Sequence, residues 1–262
     1  MRFGRSAGVF SSIFLVGACG PSAINVPPAT DLYKQAVTDQ VGQNYGLAID
    51  QYRLFLDHYP IDSRAQDVEL RLADSFFADE KWPESIVAYG NFQRMHPTHR
   101  DIERIEFRIA AAYYAQMDDL DRDLGAAQNA HERYRNLVYR HAGTPAAKEA
   151  EADLATVREH LAARELYVAT FYIDRNKPEA GQARVAATLL RYPETRAARE
   201  AIARLREVAL EQGDTELATL AAAALKDHPR SDENSERDAP LGPNTVALRN
   251  RLLQERNPSA TP

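Results

Sequence analysis

One residue in this chain is placed for covalent chemistry. Cys19 is the only cysteine, so an internal disulfide is ruled out and the thiol needs another explanation. It closes Leu15-Val16-Gly17-Ala18-Cys19, which has the layout of a bacterial lipobox. The cysteine supplies a sulfur nucleophile to take a diacylglyceryl group, and its small neighbours let backbone and sulfur enter a processing enzyme. Upstream, Arg2 and Arg5 precede the apolar run Val9-Phe10-Ser11-Ser12-Ile13-Phe14-Leu15-Val16. That run is far short of the roughly 20 residues a membrane-spanning helix needs, and matches the core of a signal peptide. Residues 1–18 are therefore expected to be a lipoprotein signal peptide, with Cys19 becoming a lipidated N-terminus. Each buried methylene contributes about 0.8 kcal/mol, so two or three acyl chains hold such a protein almost permanently. Gly20, rather than Asp, follows the cysteine, a pattern that resembles sorting to the outer membrane. Residues 19–30, with Pro21, Pro27 and Pro28, read as the lipid-bearing Cys19 and an extended tether.

Other residue types capable of chemistry form no catalytic pattern. Of the seven histidines, His58, His96, His141 and His228 lie at or near expected C-terminal ends of helices, where the dipole favours a cation. His96 and His99 with Asp101 have metal-ligand chemistry, but Pro97 breaks the helix between the histidines and no HExxH pattern exists. Asp118-Asp119-Leu120-Asp121-Arg122-Asp123 lacks the turn glycine and closing glutamate of a calcium loop. It reads as a solvated, self-paired loop capping the next helix. There is no glycine-rich phosphate loop and no Gly-x-Ser-x-Gly elbow. The expectation is a non-enzyme with no metal and no cofactor beyond the covalent lipid on Cys19.

The charge balance narrows the partners. Lys and Arg number 32 against 38 Asp and Glu, a formal charge of −6. Nucleic acid is a poor partner for such a chain, because that affinity rests on phosphate neutralisation.

The elements that must position any site show themselves as repeats. Five segments end alike: Tyr52 to Pro60, Tyr89 to Pro97, Tyr134 to Pro145, Thr188 to Pro193, and Ala224 to Pro229. The prolines are 37, 48, 48 and 36 residues apart, close to the tetratricopeptide period of about 34 with insertions in the middle. Within a unit, Leu72, Ala73, Phe76, Ser85, Tyr89, Phe92 and Pro97 fit that pattern of large, small and aromatic positions, and Ala36, Ala48, Tyr52 and Phe55 keep the same offsets in the unit before. Small residues let two antiparallel helices approach, aromatics fill the space between pairs, and the proline stops the second helix. No pair buries its apolar face alone, so stacking supplies the core. The predicted fold is all-α: a tetratricopeptide-like right-handed α-solenoid of about five helix pairs over residues 31–229. The helices are predicted at 31–43, 46–58, 64–79, 83–95, 100–117, 124–141, 146–175, 179–191, 196–212 and 215–227. Residues 230–262 are expected to be a charged, proline-rich linker, a short helix near 244–256 and a tail.

In such stacks the first helix of each pair lines the concave surface. Taking register from Pro60 and Pro97, the groove positions are Tyr33, Val37 and Val41 in the first unit and Leu70, Asp74 and Phe77 in the second. These suggest an apolar patch for a peptide. Toward the end of the long fourth-unit helix stand Glu165, Tyr167, Phe171 and Tyr172, with Arg184 on its partner helix, a composition common in protein hot spots.

The chain also resembles the BamD family, the tetratricopeptide lipoproteins of the outer-membrane β-barrel assembly machinery. The resemblance runs from Cys19 to about Pro229 and is most specific in His96-Pro97-Thr98-His99 with Ile102, Asp121-Arg122-Asp123, Glu165 with Val168-Ala169 and Phe171-Tyr172, Ala183-Arg184-Val185, and Arg191-Tyr192-Pro193-Glu194-Thr195. It implies a lipid-anchored scaffold on the periplasmic face of the outer membrane. The N-terminal units would receive unfolded outer-membrane proteins, and the C-terminal units would dock a periplasmic POTRA domain of the BamA-like barrel subunit. The family's partner-contacting arginine falls on Arg184. Ala183 stands where the family usually has Asn, and the third unit ends His141-Ala142-Gly143-Thr144-Pro145 rather than in Tyr-Pro. The alternative is another envelope tetratricopeptide lipoprotein of the Tol-Pal or cell-division coordinator type. A glycan hydrolase on a helical scaffold would need a second domain with paired carboxylates, for which no non-repeat stretch is large enough.

Overall fold

The computed structural model describes residues 26–228 and 241–256, which carry eleven α-helices and no strand. Cys19, the signal sequence and the charged segment 229–240 lie outside the described residues. The first pair is α1 (Ala29–Val41) and α2 (Tyr45–His58), the second α3 (Ala65–Ala78) and α4 (Trp82–Met95), the third α5 (Ile102–Tyr114) and α6 (Gly125–Arg140). Next come α7 (Pro145–Asp174) with α8 (Pro178–Arg191), α9 (Arg196–Gln212) with α10 (Thr215–Asp227), and then α11 (Pro243–Arg256). Each helix packs on its neighbours in chain order. The fold is thus the predicted all-α stack of five pairs, with one helix added.

The small residues lie where two helices of a pair must approach. Ala36 and Ala48, then Ala73 and Ser85, are fully buried. In the fourth pair the contact is closer still. A Cβ on Gly181 of α8 would stand 2.6 Å from Ile173 Cγ1 of α7, so only glycine fits there. The aromatics Tyr52, Phe55, Tyr89, Phe92 and Tyr134 fill the space between pairs and are also buried. Each of these three tyrosines sends its hydroxyl to a first-helix side chain: Tyr52 to Gln40 Oε1 at 2.8 Å, Tyr89 to Asp74, and Tyr134 to Asp153 Oδ2 at 2.8 Å. Desolvation raises all three phenols above their ordinary pKa, reinforced at Tyr89 and Tyr134 by the neighbouring carboxylate.

The turn inside a pair has one recurrent form. Gln43, Glu80, Asn176 and Gly213 sit between their helices with φ of 62°, 56°, 56° and 77°, a left-handed turn that lets the chain reverse in about three residues. The third pair breaks the rule because the acidic insertion lies there. The helices end within two residues of expectation almost everywhere. The exception is α5, whose 117 terminus gives way to i→i+3 bonds from Gln116 N to Tyr113 O and Met117 N to Tyr114 O.

Two readings need correction. Pro145 does not stop α6. That helix ends at Arg140, Gly143 turns the chain at φ 85°, and Pro145 opens α7 with Thr144 Oγ1 capping Ala147 N at 3.2 Å; a proline at the first helical position loses no hydrogen bond. Nor does the C-terminal helix stand apart. α11 packs on α10 and α8, and its Leu248 and Leu252 belong to the same buried cluster as Val185, Leu189, Ala221 and Ala224.

Candidate functional site

Across α1, α3 and α5, the helices expected to line the groove, side chains of successive units interlock. Tyr33 donates to Asp67 Oδ2 at 2.7 Å, and Arg71 Nε meets the same oxygen at 2.6 Å. One unit on, Asp74 accepts from Tyr89 and pairs with Arg104 Nη1 at 2.8 Å. Phe77 packs edge-on to Trp82 at 5.1 Å, and the Arg108 guanidinium lies 4.4 Å from its ring centroid. The groove is therefore aromatic and charged rather than apolar, because each first helix receives the arginines of the next. Of the predicted lining residues, Tyr33, Asp74 and Phe77 are on this ribbon. Val37 packs half-buried against the first core cluster, and Val41 is 78% exposed at the end of α1. Leu70 is a correction: at 8% exposure it is a core residue packed with Ala73, Tyr89 and Ile105. The register of α3 turns that position inward.

A second constellation sits where α7 meets α8. The Glu165 carboxylate, only 13% exposed, accepts from Arg184 Nη1 at 3.2 Å and pairs with Arg191 Nη1 at 3.3 Å. Tyr172, Ala180, Ala183 and Ala187 join both arginines around a hollow of about 300 Å³. The three partner-binding residues expected from the sequence, Glu165, Tyr172 and Arg184, are thus neighbours, and Arg191 joins them. One carboxylate between two guanidiniums leaves the cluster one positive charge in excess.

Two histidines act as staples between helices. His96 Nε2 lies 3.0 Å from Glu69 Oε2, and His141 Nε2 lies 3.0 Å from Glu106 Oε2, each closing its own pair. Glu106 is buried and further held by Gln93 and Arg140, both at 2.8 Å. His131 is different: half-buried against Arg158, it is held below its usual pKa, first by desolvation and then by that cation. The acidic insertion pairs with itself through Arg122 and Asp118 at 2.9 Å, and Asp123 Oδ1 accepts from Gly125 N at 3.1 Å as α6 begins. Among the described residues no group of three or more potential ligands could hold a metal ion. No described helix is long and apolar enough to cross a membrane.

Sequence reasoning missed one surface. Leu56, Leu72, Phe76, Val87, Phe92 and Met95 line a hollow of about 550 Å³ between α2, α3 and α4. Its signal is the spacing Val87, Asn91, Met95 along one side of α4, where Val87 and Met95 are both exposed.

The comparisons agree with this architecture. Residues 26–224 match the family model described as YfiO, outer membrane lipoprotein. The outer membrane protein assembly factor BamD of Vibrio cholerae is 25% identical over 214 residues, covering 77% of this chain and 88% of the relative. That of Pasteurella multocida is 25% identical over 224 residues, covering 81% and 86%. That of Neisseria meningitidis serogroup B is 25% identical over 182 residues, covering 66% and 68%. With the match running through all five helix pairs, the chain belongs to the YfiO/BamD family of outer membrane lipoproteins.

Proposed function

We propose that this chain is a non-catalytic scaffold in outer-membrane protein assembly, lipid-anchored through Cys19 on the periplasmic face of the outer membrane. The observation that carries the reading is the family match over residues 26–224, and two separate surfaces support it. The aromatic and charged ribbon of Tyr33, Asp74 and Phe77 suits an extended segment of an unfolded barrel protein. Stacked Phe77 and Arg108 offer a face for aromatic side chains, and the rows of ion pairs offer polar partners for unpaired backbone. The Arg184–Glu165–Arg191 cluster suits a carboxylate on the POTRA region of a BamA-like subunit, because its excess positive charge is already oriented.

Affinity purification of the chain from detergent-solubilised outer membrane, with identification of what comes with it, tests the reading. A BamA-type barrel protein is the expected partner; recovery of Tol-Pal or division proteins in its place would replace this assignment. In the purified pair, Arg184→Glu is expected to weaken binding at least about tenfold, since it puts a like charge against the partner's acid. It also sets a second carboxylate against the largely buried Glu165, so the melting point should fall by a few degrees while helicity at the binding temperature stays unchanged. Equal binding by that variant removes Arg184 from the interface.

A further inference from the structure

We propose that His131, Arg158 and Glu194 form an acid-sensitive clasp, which holds the turn between α8 and α9 against α6 and α7 and opens when the imidazole is protonated. The turn bridges two parts of the stack. Its Tyr192 and Ala197 are buried in one cluster with Ala127, Ala130, Tyr134 and Leu137 of α6, although the helices on either side of it belong to the fourth and fifth pairs. α7 holds the same turn by polar contacts. Glu159 accepts from Arg196 N at 2.8 Å and from Ala197 N at 3.1 Å, where α9 begins. Arg158 grips Glu194 with Nε and with Nη2, the latter at 2.9 Å, and its Nη2 also donates to the Arg191 carbonyl at 2.8 Å.

The imidazole decides whether that grip stays closed. Arg158 Nη1 lies 3.3 Å from His131 Nε2. A guanidinium has donors only, so Nε2 must accept, which places the ring proton on Nδ1 and leaves the ring neutral. Tyr192 packs against both, edge-on to the His131 ring at 6.3 Å and 5.3 Å from the Arg158 guanidinium. A proton on Nε2 turns the acceptor into a donor facing another donor, and sets one cation against another. Arg158 cannot retreat from it without loosening Glu194 and the Arg191 carbonyl. Arg135, also on α6, opposes the second charge, while Glu132 on α6 and Glu194 on the turn favour it. Glu194, however, is already engaged by Arg158. α5, the other helix packed on α6, has its charges committed elsewhere: Glu103 and Glu106 to Thr144 and His141, Arg104 to Asp74, and Arg108 over Phe77. Desolvation and the two arginines outweigh the two carboxylates, so the ring is held below its ordinary value of 6.5. The closed form is therefore complete above pH 6.5 and is lost as pH falls through the lower folded value.

The test reads the clasp on the full-length chain in detergent. Amide exchange, expressed as protection relative to a free peptide at the same pH, is compared at about pH 7.5 and about pH 5.5, which bracket the range where a histidine titrates. The wild type is expected to lose protection in residues 191–199 at the lower pH while keeping it in α1 to α4. His131→Gln, whose side-chain carbonyl can accept from Arg158 but takes no proton, is expected to keep protection at both. Arg158→Met, which removes the grip, is expected to lose it at both. With isotope-labelled histidine, the magnetic-resonance signal missing from His131→Gln belongs to His131, and its titration midpoint is expected below 6.5. A midpoint at or above 6.5 overturns the clasp. Equal protection of the wild type at both pH values, or the same acid-induced loss in His131→Gln, does so too. Full protection in Arg158→Met overturns it as well, because the turn would then be held without the guanidinium.

Discussion

Leu248 makes the role of the last helix measurable. It is fully buried, with Leu252 only 2% exposed, in a cluster that includes Val185, Leu189, Ala221 and Ala224. Leu248→Ala removes the methyl-bearing end of the side chain and leaves a void. Much of that wall is alanine on packed helices, so little can move in to fill it. Core leucine truncations cost about 2–5 kcal/mol depending on how far the site collapses, and the poor capacity for collapse here argues for about 3–4. At roughly 2–4 °C per kcal/mol for a chain of this size, the melting point should fall by about 6–16 °C. The loss should also be local. A stack of repeats couples only nearest neighbours, and α11 is held by Thr245 Oγ1 and Asn244 N on Asp227, both at 2.8 Å. Urea unfolding followed by circular dichroism gives the size of the effect, and amide exchange gives its place, with protection lost first in α10 and α11. Leu190→Ala, at a position 54% exposed, serves as control and should cost less than about 0.5–1 kcal/mol. If Leu248→Ala costs no more than the control, or loosens α1 to α4 instead, the reasoning that α11 completes the C-terminal core is wrong.

Other perturbations probe the packing and the titrating groups. Gly181→Ala drives a methyl into Ile173 at 2.6 Å and should destabilise by about 1–3 kcal/mol; a chemical-denaturation midpoint at or above that of the wild type refutes the close approach. Tyr89→Phe removes one bond to Asp74 while Arg104 keeps its own at 2.8 Å, so about 1 kcal/mol should be lost, and an unchanged midpoint would show the hydroxyl to be idle. His131 is held below its ordinary pKa of 6.5, so the fold favours the neutral ring. Its contribution is complete above pH 6.5 and is lost as pH falls through the lower folded value. His131→Asn should flatten stability against pH in that window, and an unaltered slope would place the proton uptake elsewhere.

Much of the architecture was legible because tetratricopeptide packing writes itself into residue size. Ala36, Ala48, Ala73 and Ser85 are small where helices touch, and Tyr52, Tyr89 and Tyr134 are large where pairs meet. The turns were not legible: Gln43 and Glu80 adopt left-handed backbone without the glycine that usually marks it, the surrounding helix pair imposing the conformation. Pro145 was misread because proline looks alike after a helix and at the start of the next. The groove was misjudged for a different reason. Positions on α1 and α3 were read alone, whereas Arg104 and Arg108 arrive from α5 and convert an apolar list into a charged one. Leu70 failed by a small rotation of α3. Glu165, Tyr172 and Arg184 were singled out only as a composition, and they lie together because Gly181 lets α8 approach α7 closely.

The length of α7 has a mechanical consequence. Its 30 residues form one rod about 45 Å long, in contact with α5 and α6 at one end of its course and with α8 and α9 at the other. A stack jointed at every turn could flex like a chain of beads, but a single strut shared by both halves makes them tilt together. The third pair and the fifth are then kept at a fixed span and angle. A tilt imposed on the third pair is thus carried to the fifth by one beam rather than passed from turn to turn.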